Sequence, residues 1–181
     1  MNSKVYHLIP WDSAKNIGKS YNQMMSLIDD NDWACFLDGD AVHTSPYFGK
    51  RIEDVINSNP TYSFFTCYTN RVSCKYQVAP GSDWNSNDWA YHRKLGDQLW
   101  NKNTTNVVDI TKSQLLSGVL ILVKKSAWQS VGGFLETGML GVDNDLHKKF
   151  KNAGLKVGLM TGIYVQHWYR GGNIHDKKHL I

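Results

Sequence analysis

Trp33-Ala34-Cys35-Phe36-Leu37 is an unbroken apolar run that ends on Asp38-Gly39-Asp40. So short a run, with no polar alternation, predicts a strand buried on both faces, which needs layers of structure above and below it. The neighbouring sequence supplies those layers. Residues 4–10 (KVYHLIP) are a β-like run closed by Pro10, and residues 12–28 carry Ile17, Tyr21, Met24, Met25 and Ile28 at helical spacing, with Asp12 or Ser13 as the expected cap. After Ser45-Pro46 a helix is expected over 47–57, then a strand over 62–68. Further on come a strand in 115–124 (LLSGVLILVK), a helix over 126–131, a Gly132-Gly133 turn, a helix over 143–153 and a strand over 156–160. A last short strand, 163–166, delivers His167. Alternating strands and helices predict an α/β fold with a mixed, mostly parallel sheet flanked by helices. Residues 71–106 lose the periodicity and are expected to be a substrate-facing insertion, with 89–100 its one helical candidate.

The 181 residues fit one domain able to bury a core without disulfides or structural metal. A net charge of +4 is spread along the chain apart from Lys148-Lys149-Lys151 and Lys177-Lys178, too diffuse for a dedicated nucleic-acid binder but compatible with a small phosphorylated substrate. Cys35, Cys67 and Cys74 form neither an even framework nor a close pair, which argues for a reducing compartment. Residues 1–10 lack the apolar core of a signal peptide, and no stretch nears the roughly 18 apolar residues of a membrane span, so a soluble, cytoplasmic protein is expected. Trp84, Trp89, Trp100, Trp168 and Tyr169 lie among polar residues, the setting in which aromatic faces stack on sugars.

Two carboxylates at the C-terminal end of a buried strand stand where open α/β sheets bind ligands. Asp38 and Asp40 therefore suit a hard divalent cation shared with substrate phosphates, and Gly39 permits close approach; an ordinary Asp-Gly turn accounts for the same residues equally well. His167, just after an apolar strand, would complete such a site, and an imidazole suits Mn²⁺ better than Mg²⁺. In Val142-Asp143-Asn144-Asp145-Leu146, Asp143 would cap the following helix or act as a general base, and Asp145 stands beside it.

In this order the motifs resemble the GT-A glycosyltransferases, especially their large family 2, over most of the chain. Asn16-Ile17-Gly18 with Asn22 is similar to the family's Asn-x-Gly…Asn helix. WACFLDGD, residues 33–40, resembles its strand ending in Asp-x-Asp. Residues 117–128 lead into Val131-Gly132-Gly133-Phe134-Leu135-Glu136, similar to the acceptor-side strand and Gly-Gly-Phe turn, and Val142-Asp143-Asn144-Asp145-Leu146 resembles the Glu-Asp-x-Asp-Leu helix start. Val142 stands where the family carries an acid, and only residues 4–10 precede a helix that the family places after two strands and a helix.

The resemblance implies a single GT-A, Rossmann-like domain over 1–181 with a shortened N-terminal half. Residues 1–45 would form the nucleotide and metal half, 66–114 the irregular acceptor-side segment, 115–167 the acceptor and catalytic half, and 168–181 a flexible basic tail. It implies a Mn²⁺- or Mg²⁺-dependent hexosyltransferase that moves a sugar from a nucleoside-diphosphate donor, a UDP-sugar, to a hydroxyl of a glycan or protein, with inversion favoured over retention. Asp38 and Asp40 would contact the metal and the donor, His167 would be the third protein ligand, Asp143 would be the base, and Asp145 would support the site or contact the acceptor. Pro10, Asp12, Asn16, Lys19, Gly39, Arg170 and Lys177, with Lys178, would meet the donor; Asp12, or the faces of Tyr6 and Trp11, would replace the missing base contact. Trp84, Trp89, Trp100, Gly118 and Gly133 would meet the acceptor. A metal-dependent nucleotidyltransferase and a non-catalytic nucleotide-sugar-binding module are the alternatives.

Overall fold

The structure, a computed structural model, describes residues 3–169. Strands β1 (Val5–Leu8) and β2 (Trp33–Leu37) pair in parallel, His7 opposite Cys35, and helix α1 (Ile17–Ser26) makes the crossover that a parallel pair requires. α1 starts later than its apolar spacing suggests. Residues 12–15 form a turn closed by the Lys15 N–H on the Asp12 carbonyl (3.1 Å), with Lys15 at φ 58°. The cap is therefore Asn16, which accepts from the Lys19 N–H, whereas the Asp12 carboxylate accepts from the Asn16 N–H.

After β3 (Ala41–His43), α2 (Phe48–Ser58) and β4 (Tyr62–Tyr68) come α3 (Trp89–Asn103), β5 (Val107–Asp109) and β6 (Leu120–Lys124); α4 (Lys125–Ser130), α5 (Val142–Asn152) and β7 (Lys156–His167) complete the described elements. They form an α/β structure with a seven-stranded mixed sheet ordered β1-β2-β6-β4-β7-β3, with β5 beside β7. The expectation of a mostly parallel sheet does not hold for the pairings seen. β6 is antiparallel to β2 (Phe36 opposite Ile121) and to β4 (Phe65 opposite Leu122), and β3 is antiparallel to β7. The reason is physical: an all-apolar run reports burial on both faces, not direction, and β6 buries Leu120 to Val123 completely while antiparallel to both neighbours.

Two compact units divide the chain: residues up to Gly39 with Thr61–Thr66 and Asp109–Gly158, and Asp40–Pro60 with Cys67–Val108 and the chain from Leu159. In the first unit Tyr21 stacks on Phe134 and meets the edge of Phe36. In the second, the segment expected to be an irregular insertion contributes core. α3 buries His92, Leu95, Gly96 and Leu99, and the two leucines pack with Ala79 and Tyr164. Its inward face was hidden because a histidine and a glycine stand at two of its four buried positions.

The two short strands expected at 156–160 and 163–166 are one strand, β7. Thr161-Gly162 looks like a break but is a close approach: a Cβ on Gly162 would fall 2.1 Å from the Thr104 carbonyl oxygen. No helix among the described residues is long and apolar enough to cross a membrane.

Candidate metal and acid-base site

In the first unit the helix motif and the Gly-Gly-Phe turn meet. The Asn22 amide donates to the Phe134 carbonyl (3.0 Å) and to Glu136 Oε1 (2.7 Å), and its oxygen accepts from the Phe134 N–H (2.9 Å) and from Trp128 Nε1 (3.2 Å). Asn16 Nδ2 donates to the Glu136 carbonyl, and the Ile17 N–H to that of Gly138. Gly18 lets this happen, since a Cβ there would lie 1.9 Å from the Leu135 carbonyl oxygen. Asn16, expected at the donor, and Gly133, expected at the acceptor, thus serve this junction. Gly133 sits at φ 74°, and its carbonyl accepts from Lys149 Nζ.

Asp143 does not cap α5. The cap position is Gly141, at φ 80°, where a side chain would be strained. Within the first turn, the Asp143 carboxylate accepts from the Gly118 N–H (Oδ2, 2.8 Å) and from the Asn144 N–H (Oδ1, 2.8 Å). Burial raises its pKa above the ordinary aspartate value, although these N–H bonds pull the other way. Asn144 then bonds the Leu116 N–H, which ties the helix start to the segment before β6. Asp145 pairs with Lys149 (2.8 Å) one turn along the same helix.

Asp38 directly follows β2, and its N–H bonds the Val119 carbonyl. Buried Tyr21 lies in the field of both Asp38 and Asp143: burial raises its pKa, and the two negative charges raise it further. Gly39 carries no positive φ, and among the described residues a Cβ there would meet only Ile9 Cγ2, at 3.9 Å.

In the second unit the end of β7 brings His167 to Asp40, with Nε2 3.2 Å from Oδ1. His167 is buried, whereas the Asp40 side chain is about 43 % exposed. Imidazole Nδ1 lies 2.7 Å from the Arg71 carbonyl, which can only accept, so Nδ1 carries a proton. Neutral imidazole then directs the Nε2 lone pair at a carboxylate, an arrangement that calls for a cation, either a proton or a metal, between them. Gly39 alone separates Asp38 from Asp40 in the chain. Two carboxylates and one anchored imidazole fit the oxygen-rich preference of Mn²⁺.

Of the aromatic candidates, Trp89 and Trp168 are partly exposed. Trp100 has the Arg51 guanidinium 4.9 Å from its ring centre, and the Trp84 carbonyl accepts from Arg71 Nε. Gly118 donates to Asp143. Pro10 is buried, Lys19 is exposed, and Trp11 is about 75 % exposed. Arg170, Lys177 and Lys178 lie outside the described residues.

Two residues that no motif singled out frame His167. Asn70, after β4, accepts from the His167 N–H (2.8 Å), and its own Nδ2 is buried with no hydrogen-bond partner among the described residues. Arg71 follows it, fully buried. The one sequence signal for the pair was Thr69-Asn70-Arg71, polar residues directly after an apolar strand. No family model matches the chain, and no curated protein matches it.

Proposed function

We propose that this chain is a metal-dependent glycosyltransferase acting on a nucleoside-diphosphate sugar, a UDP-sugar in the first instance, with a hydroxyl-bearing glycan or protein as acceptor. The observation that carries the proposal is His167, whose Nδ1 is committed to the Arg71 carbonyl while Nε2 faces Asp40. Asp38, Asp40 and His167 would hold Mn²⁺, which when bound supplies a Lewis-acidic charge beside the donor's diphosphate.

The chain's own residues supply the rest. Asp143 takes the proton of the acceptor hydroxyl as that oxygen bonds to the anomeric carbon, and the bond from that carbon to the diphosphate oxygen breaks, its electron pair leaving with the nucleoside diphosphate. A raised pKa makes the carboxylate a stronger base, and the N–H groups of Gly118 and Asn144 hold it in place. Displacement assisted by a base inverts the anomeric centre. Asp145, paired with Lys149, keeps the first turn of α5 in register with the Gly133 carbonyl.

The test is a panel of nucleotide sugars assayed for Mn²⁺-dependent release of nucleoside diphosphate, with Asp40→Ala and Asp143→Ala as controls. Release and transfer by the parent, lost in both variants, is the expected result. Asp40→Ala turning over as fast as the parent removes the metal assignment, and an unaffected Asp143→Ala removes the base.

A further inference from the structure

Arg71 is completely buried, and its hydrogen-bond acceptors are backbone and amide oxygens rather than carboxylates. Nε donates to the Trp84 carbonyl (2.5 Å). Nη1 donates to the carbonyls of Trp168 (3.1 Å) and His167 (3.4 Å), and Nη2 to the Ser86 carbonyl (3.0 Å) and to Asn87 Oδ1 (2.7 Å). All five N–H groups of the fork are thereby used. Ser86 and Asn87 belong to a loop fixed a second time by His92, whose Nε2 lies 3.0 Å from the same Ser86 carbonyl and whose Nδ1 lies 2.7 Å from the Tyr164 hydroxyl.

The peptide between His167 and Trp168 is where these bonds converge on the site. Arg71 holds its carbonyl side, and the Arg71 carbonyl accepts the His167 Nδ1 proton. The Trp168 N–H donates to the Asp40 carbonyl (2.8 Å). Arg71 therefore fixes the backbone of one candidate ligand through its guanidinium and the ring of that ligand through its own main-chain carbonyl, and the same peptide bonds the residue that carries the second. Only a planar guanidinium reaches carbonyls on both sides at once; a lysine ammonium is a point charge with three donors.

We propose that Arg71 is a positioning residue for the metal site, holding His167 Nε2 in line with Asp40, and that it clamps the loop of Trp84 to the same point. This rests on the metal role proposed above. Outer partners of a metal-bound histidine commonly set affinity by about 10–100-fold, and a loss of that size is expected here. Support of the loop alone would lower the melting temperature and leave the Mn²⁺ affinity of the folded protein unchanged.

The experiment is a Mn²⁺ titration of the full chain followed by the EPR signal of free Mn²⁺, on the parent, Arg71→Lys and Asp40→Ala, with circular dichroism to establish folding. The expected result is binding by the parent, loss in Asp40→Ala and at least about tenfold weaker binding in folded Arg71→Lys. Folded Arg71→Lys that binds as tightly as the parent overturns the positioning role alone, whereas a parent that does not bind Mn²⁺ overturns the metal role beneath it. If Arg71→Lys does not fold, the guanidinium ¹⁵N–¹H signals of Arg71 in the parent decide: separate, slowly exchanging Nη–H signals support the clamp, and a single averaged signal overturns it.

Discussion

The side-chain amide of Asn22 bonds both the N–H and the carbonyl of Phe134. A single asparagine thus substitutes for a strand partner and holds the glycine-rich turn against α1. Asn22→Ala removes both bonds and leaves the turn's backbone groups unpaired. A loss of about 2 kcal/mol is expected, read from urea unfolding of the variant against the parent. An unchanged midpoint would mean that the turn is held by packing alone.

Gly18 presents the complementary case. Alanine at a helical site ordinarily gains about 1 kcal/mol over glycine, but here its Cβ would lie 1.9 Å from the Leu135 carbonyl oxygen, which belongs to the backbone and yields poorly. Gly18→Ala should therefore destabilise, by about 1–3 kcal/mol, against the sign of helix propensity. Thermal unfolding gives that sign directly.

Asp143 makes activity depend on pH in a stated direction. Its pKa in the fold lies above the ordinary 3.8, so a base role gives kcat/KM an acid limb displaced upward from that value and carried by one proton. Stability moves the opposite way. The fold prefers the protonated form, so this group's contribution is fully present below 3.8 and is lost as pH rises through the higher folded value. A kcat/KM profile flat through this range would remove the base assignment.

Mn²⁺ should also raise the melting temperature of the parent, more so with UDP, because a ligand of the folded state alone stabilises it. Removal by EDTA should restore the original midpoint, and Asp40→Ala should be indifferent to both additions. Equal shifts in parent and variant would place the cation elsewhere.

Much of this fold was legible because it rests on local patterns. The apolar run at Trp33–Leu37 and the spacing of α1 and α5 carry their own period. Strand direction was not legible, since the apolar content of β6 is the same whichever way it runs. The union of 156–160 with 163–166 was hidden too, because the need for Gly162 comes from Thr104, 58 residues away in sequence. Among the candidate residues, Asp38, Asp40, His167 and Asp143 were marked by their places at element ends. Arg71 was not, since what distinguishes it is five oxygens from two separate segments, residues 84–87 and 167–168, neither of which leaves a trace beside it.

Gly39 has a different bearing. Among the described residues its neighbours leave room for a methyl group, with Ile9 Cγ2 at 3.9 Å the one atom a Cβ would meet, and its φ lies outside the left-handed region. The fold does not demand a glycine there. A saturation library at this one codon, sorted separately for soluble expression and for turnover, would turn residue size at position 39 into a ruler for whatever molecule lies against the strand end.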